Sequence, residues 1–206
     1  MQIRSDGALV VRAPLGVSQE YIEKFICKKK QWIQNRRNQA IERKKLKPVK
    51  KFVDKEKFMY LGKAYPLYIG KFQSDQLCFD GKFLLPKEHK EKAKELFIKW
   101  YKKKAKEVIK QRVALYSKQV STAYKRIRIT DASRRWGSCS QKGDLNFSWR
   151  IVMAPLRVLD YIVVHEMVHL LEKNHSKRFW ERVGIHFPDY KACRNWLKEK
   201  GFSLTI

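Results

Sequence analysis

The sequence predicts an α+β fold. Short β-type runs broken by Gly, Pro and Asp-Gly turns cluster at 57–85 and again at 126–149, a long apolar stripe of helical period lies between them, and helix-period segments fill the last third. With 206 residues, 44% of them apolar and 13% aromatic, the chain can bury a substantial core, so neither a disulfide-stapled miniprotein nor a wholly disordered chain is expected.

Taken in order, Ile3 and Leu9 to Val11 around Asp6-Gly7 predict a short hairpin within 2–13, closed by Pro14. Ser18 is a good N-cap, and Tyr21, Ile22, Phe25, Ile26, Trp32 and Ile33 continue as a basic amphipathic helix towards Pro48. Runs at 57–60, 64–69, 76–80 and 83–85, separated by Gly62, Gly70 and Asp80-Gly81, predict a small antiparallel sheet. Pro86 opens a long helix whose buried stripe is Ala93, Leu96, Phe97, Trp100, Tyr101, Ala105, Val108, Ile109, Val113 and Tyr116. Strands at 126–130 and 144–149 follow, with the turn at Gly143-Asp144. An almost wholly apolar helix then spans 156–171, and two shorter helices cover 176–183 and 190–200. The expected division is an N-terminal region, 1–85, of basic helix plus small sheet, and a catalytic domain, 86–206.

Charge is the compositional outlier: 47 Lys and Arg against 20 Asp and Glu give a formal +27. The densest run, 24–57, holds 14 bases and three acids, a net +11, which fits either a solvated face or a contact with nucleic acid or another polyanion. Four dispersed cysteines, Cys27, Cys78, Cys139 and Cys193, form no C-x-x-C pair and read as reduced thiols. No signal peptide and no membrane span is evident, so a cytoplasmic location is expected.

Chemistry is concentrated in His165-Glu166-Met167-Val168-His169. Imidazoles four residues apart on one helical face sit about 6 Å apart along the axis and can reach a single Zn²⁺. Glu166 is then placed as general base for a zinc-bound water. His175, six residues past His169, supplies the third ligand that leaves a fourth position open. This is metzincin spacing, but Glu172 stands at the metzincin glycine, which argues against a metzincin proper; Asn174 is expected to take the left-handed conformation that turns the chain. Three polar side chains amid Val163, Val164, Met167, Val168 and Leu171 also favour ligation over a core role. The catalytic part is accordingly expected to be zincin-like, with its H-E-x-x-H helix beneath a small antiparallel sheet.

Arg135 to Ser140, Trp149-Arg150, Met153-Ala154-Pro155, Asp160 to Glu166 with His169, and Asn174 to Lys177 with Phe179-Trp180 resemble the YgjP-like zinc metallopeptidase family, itself related to the SprT and WLM metallopeptidases. The likeness extends to the N-terminal Ile-Arg, Asp-Gly and Val-Val-Arg-Ala-Pro elements and to Tyr60 to Lys63. It implies zinc on His165, His169 and His175 with Glu166 as base. Ser148 replaces the Asn that the family usually carries before Trp-Arg. Family members are named peptidases by motif, and some are described as pyrophosphohydrolases acting on UTP.

Arg135 and Arg150 are candidates for substrate binding through a carboxylate, a phosphate or an oxyanion, or alternatively stack on Trp136 or Trp149. Cys139 reads as a buried small hydrophobe rather than a nucleophile, and His89 and His186 as ordinary surface residues. Asp131, Asp160 and Asp189 are candidates for orienting a ligand imidazole. The leading expectation is zinc-dependent peptide hydrolysis. Metal-dependent UTP pyrophosphohydrolysis stands second, and a nucleic-acid-binding protein with a structural zinc third.

Overall fold

A computed structural model describes residues 1–206 apart from Ser5, Lys47 and the side chain of Lys44, so those two lysines of the basic run lie wholly or partly outside the described residues. The fold is mixed helix and sheet, α+β as the sequence predicts, in two compact units, Met1–Pro48 and Val49–Ile206.

In the first unit, β1 (Gln2–Ile3) pairs antiparallel with β2 (Leu9–Val10). Ser18 caps α1 (Gln19–Lys28), its hydroxyl accepting from the Tyr21 N–H at 3.3 Å. The expected single helix is interrupted at Lys29 and resumes as α2 (Lys30–Leu46). No residue of α1 is buried, and Ile33 of α2 is.

The second unit begins with β3 (Lys57–Tyr60), β4 (Lys63–Gly70), β5 (Cys78–Phe79) and β6 (Phe83–Pro86) in the order β3-β4-β6-β5. The β3–β4 hairpin turns on Leu61 and Gly62, both at positive φ, the geometry a two-residue connection requires. The expected antiparallel sheet is in fact mixed, because β4 and β6 run parallel while β5 folds back onto β6. A 3-10 segment (Lys87–Lys92) leads into α3 (Ala93–Val120). Ala93, Phe97, Trp100, Tyr101, Ala105, Ile109, Val113 and Tyr116 of its predicted stripe are buried.

The division expected after residue 85 does not coincide with these units. Phe58, Leu67, Phe83 and Leu85 of the first sheet join one hydrophobic core with α3 and the elements after it. Phe58 stacks on Phe97 at 4.1 Å between centroids, and the Tyr101 hydroxyl donates to the Met59 carbonyl at 2.6 Å.

Next come β7 (Arg126–Thr130), β8 (Gly137–Cys139) and β9 (Asp144–Ser148), ordered β7-β9-β8. This sheet too is mixed rather than antiparallel: β9 accepts β8 as a hairpin through Gly143 and β7 in parallel. β8 therefore forms an open edge. A 3-10 turn (Trp149–Met153) precedes α4 (Leu156–Val168), which is buried along nearly its whole length. A bidentate pair, Arg112 with Asp160 at 2.6 and 2.8 Å, clamps α3 to α4. Then α5 (Lys177–His186) and α6 (Tyr190–Lys200) close the unit. No helix of the described residues is long and apolar enough to cross a membrane, and all four cysteines are free thiols.

Candidate active site

Three imidazoles converge where α4 ends. His165 lies in the last turn of α4, His169 caps it, and His175 stands in the loop before α5, directly ahead of the Ser176 N-cap. The His175 Nε2 atom is 3.1 Å from His165 Nε2 and 3.2 Å from His169 Nε2. The His169 Nδ1–H donates to the Glu172 carbonyl at 2.9 Å, which leaves the Nε2 lone pair directed at its neighbours. Nitrogen lone pairs aimed at one another repel unless a proton or a cation lies between them, and three Nε2 atoms this close can share a single cation. A tetrahedral zinc with arms of about 2.0–2.1 Å sets its nitrogens about 3.3–3.4 Å apart, so this cluster fits that ion. The side chain of Phe179, fully buried, is the common support, with its ring centroid 4.5 to 4.9 Å from those of all three histidines.

The chain turns between the second and third histidines without a left-handed residue. The expectation for Asn174 is corrected: α4 ends by tightening, with Leu170 and Leu171 bonding to the carbonyls three residues back. Glu172, at the position a glycine would take in a metzincin, is engaged by Arg178 at 2.8 Å and Arg182 at 3.1 Å, both from α5. The residue whose carbonyl orients His169 is thus anchored by its own side chain.

Glu166 is buried beside the cluster, against β8. A Cβ on Gly137 would lie 2.5 Å from its Oε1, so the strand approaches the carboxylate as closely as a bare backbone allows. Burial pushes the Glu166 carboxyl up to about 8, and the charge of Arg135 works against that rise. Burial likewise holds the His165 imidazole down to about 3, assisted by the charges of His169, His175 and Arg194. The His165 Nδ1 atom is buried without a hydrogen-bond partner among the described residues; Tyr161, Phe179 and Trp180 pack around the ring. Gly137, Ser138, Cys139, His165, Glu166, His169, Lys173 and His175 line a cavity of about 290 Å³.

The family model of the YgjP-like metallopeptidase domain matches residues 1–200. The chain belongs to this family. No curated protein and no solved structure gives a match. Membership points to zinc-dependent hydrolysis, and in this YgjP-like chain the described group able to hold a metal is His165, His169 and His175.

The remaining candidates separate in space. Arg135 is exposed near Glu166, whereas Arg150 is bound to Asp131 at 2.6 Å and lies over Trp149 at 4.3 Å, the stacked arrangement. Cys139 lines the cavity, and burial pushes its thiol pKa up, away from nucleophilic use. Asp131, Asp160 and Asp189 hold Arg150, Arg112 and Arg157 instead of an imidazole. Ser148 is buried, its hydroxyl donating to the Ala132 carbonyl at 2.7 Å, so it secures the loop ahead of β8. His89 bonds Asp75 away from the cluster. In this YgjP-like domain three contributors have no role assigned by the motifs: the Glu172 carbonyl, the Phe179 ring and the bare Cα of Gly137. Gly137 and Phe179 do lie within the runs that carry the family resemblance, whereas a backbone carbonyl leaves no such trace.

Proposed function

We propose that the chain is a zinc-dependent peptide hydrolase in which His165, His169 and His175 hold the ion and Glu166 is the general base. The observation that carries this reading is the convergence of three Nε2 atoms, two of the separations being 3.1 and 3.2 Å, beside a buried carboxylate and an open strand edge. Zinc supplies Lewis acidity, polarising a carbonyl and acidifying water. Glu166 takes the proton from the attacking water and returns it to the departing amine nitrogen as the peptide bond breaks. The edge of β8 offers backbone donors and acceptors to an extended substrate, and Gly137 lets that strand pack directly against the Glu166 carboxylate.

The test is metal analysis followed by parallel peptide and UTP hydrolysis by wild type and Glu166→Gln. Near-stoichiometric zinc in both proteins, with peptide turnover in wild type alone, is the expected result. Peptide turnover surviving in the variant would remove Glu166 from the mechanism. Hydrolysis of UTP without peptide cleavage would transfer the site to the phosphate reading.

A further inference from the structure

Behind the histidine cluster a second groove opens between α5 and α6. Its wall is Trp180, whose indole stacks on His175 at 5.7 Å and on Tyr190 at 5.4 Å, with the Arg194 guanidinium 4.8 Å from the ring centroid. Lys177, Glu181, Gly184, Lys191 and Arg194 complete a groove of about 570 Å³. A metal ligand and this groove therefore share one aromatic ring.

The groove has a pronounced charge imbalance. It carries three cations and a single carboxylate, and that carboxylate, Glu181, is paired with Lys177 at 3.7 Å. Lys191 and Arg194 have no carboxylate partner among the described residues. Nearby acids are engaged elsewhere: Glu172 with Arg178 and Arg182, Asp189 with Arg157. On the cavity side, Lys173 and Arg135 add the same sign near Glu166. An Arg pinned over an indole has little conformational freedom left to lose and presents a planar fork to a carboxylate. The indole is already packed by His165, His175, Phe179, Tyr190 and Arg194, so the groove offers cations rather than a vacant aromatic face for a nucleobase.

We propose that this groove is a specificity subsite for an acidic side chain of the substrate, one Glu or Asp close to the scissile bond, with Arg194 as its anchor and Lys191 as a supporting charge. The proposal rests on the peptide-hydrolase reading. An acidic residue beside the bond to be cut reaches the groove past His175, while a basic residue at the same place meets three like charges.

Three fluorogenic peptides identical except for Glu, Gln or Lys flanking the cleaved bond test it, assayed with the zinc-loaded protein. Wild type should cleave the Glu peptide with kcat/KM roughly tenfold above the Gln peptide, a ratio that shrinks as salt rises. Arg194→Gln should bring the ratio close to one, and Arg194→Glu should turn the preference towards Lys. Lys191→Gln provides an independent, weaker version of the same effect, and zinc content reports that each variant retains its site. Equal cleavage of all three peptides by wild type, or a Glu preference that survives in Arg194→Gln, overturns the subsite while leaving the hydrolase intact. Cleavage of none of them, with UTP hydrolysed instead, removes the peptide reading and the subsite together.

Discussion

Gly137→Ala puts a methyl group where the Glu166 carboxylate already is. The added Cβ would stand 2.5 Å from Oε1, 2.6 Å from Cγ and 2.7 Å from Cδ, whereas ordinary contact begins at 3.4 Å. Either the carboxylate or the edge strand must move by about 0.9 Å, and Glu166 is buried, so the displacement falls on the carboxylate proposed as the base. A misplacement of about 1 Å reduces turnover roughly 100-fold, about 2.7 kcal/mol in the barrier, and overpacking at such a site destabilises by about 1–3 kcal/mol, or roughly 2–12 °C in Tm. Zinc affinity should change little, because no histidine is among the nearest atoms to the new methyl. The assay is kcat on a peptide substrate together with chelator competition for zinc, in Gly137→Ala, Glu166→Gln and the double variant. If the glycine acts through the carboxylate, the double variant is no slower than Glu166→Gln alone. Wild-type kcat in Gly137→Ala, or fully additive losses in the double variant, would refute the argument.

Glu172→Ala releases the loop carbonyl that orients His169 and should lower zinc affinity roughly 10–100-fold by chelator competition, the range seen when partners of a metal ligand are lost. Arg112→Ala leaves the buried Asp160 carboxylate without its cation and should destabilise the fold by about 3 kcal/mol in urea unfolding, with Arg112→Leu/Asp160→Leu recovering much of that loss. Asp131 is held below the usual carboxylate range by hydrogen bonds from Trp149 and then Arg150, and Asp144 by Arg126. Both therefore bind fewer protons folded than unfolded, so their contribution is complete above the unfolded value near pH ~4 and is lost as pH falls through the folded ones. Tm measured from pH 6 downwards should decline less steeply in Asp131→Asn than in wild type, and an unchanged slope would contradict the assignment.

What the sequence made legible is local. His165 and His169 are placed together by the helical repeat alone, and the α3 stripe follows from the same periodicity. His175 belongs with them because six residues of chain can only reach back a short way. The parts that could not be read are contacts between distant positions or contacts made by backbone. Gly137 meets Glu166 across 29 positions of chain, and a glycine in a strand carries no mark of what it approaches. The carbonyl of Glu172 has no side-chain signature, although the acid at that place and the arginines at 178 and 182 have a helical relation visible only once the turn is known. Strand direction is illegible for a related reason: β4 with β6 and β7 with β9 pair in parallel across intervening chain, where alternation of apolar residues gives no direction. The break at Lys29 interrupts a run of helix-forming bases that shows no stop signal.

The way the first sheet enters the core decides how the chain can be cut. A fragment begun at residue 86 would keep every histidine of the cluster yet lose Phe58, Leu67, Phe83 and Leu85, uncovering Phe97, Trp100 and Tyr101 along one side of α3. Such a truncation would expose a continuous aromatic strip to water and to other copies of itself, and should be recovered in aggregates. Val49–Ile206 is the longer piece that keeps this interior whole, and it should be recovered as a folded protein when expressed.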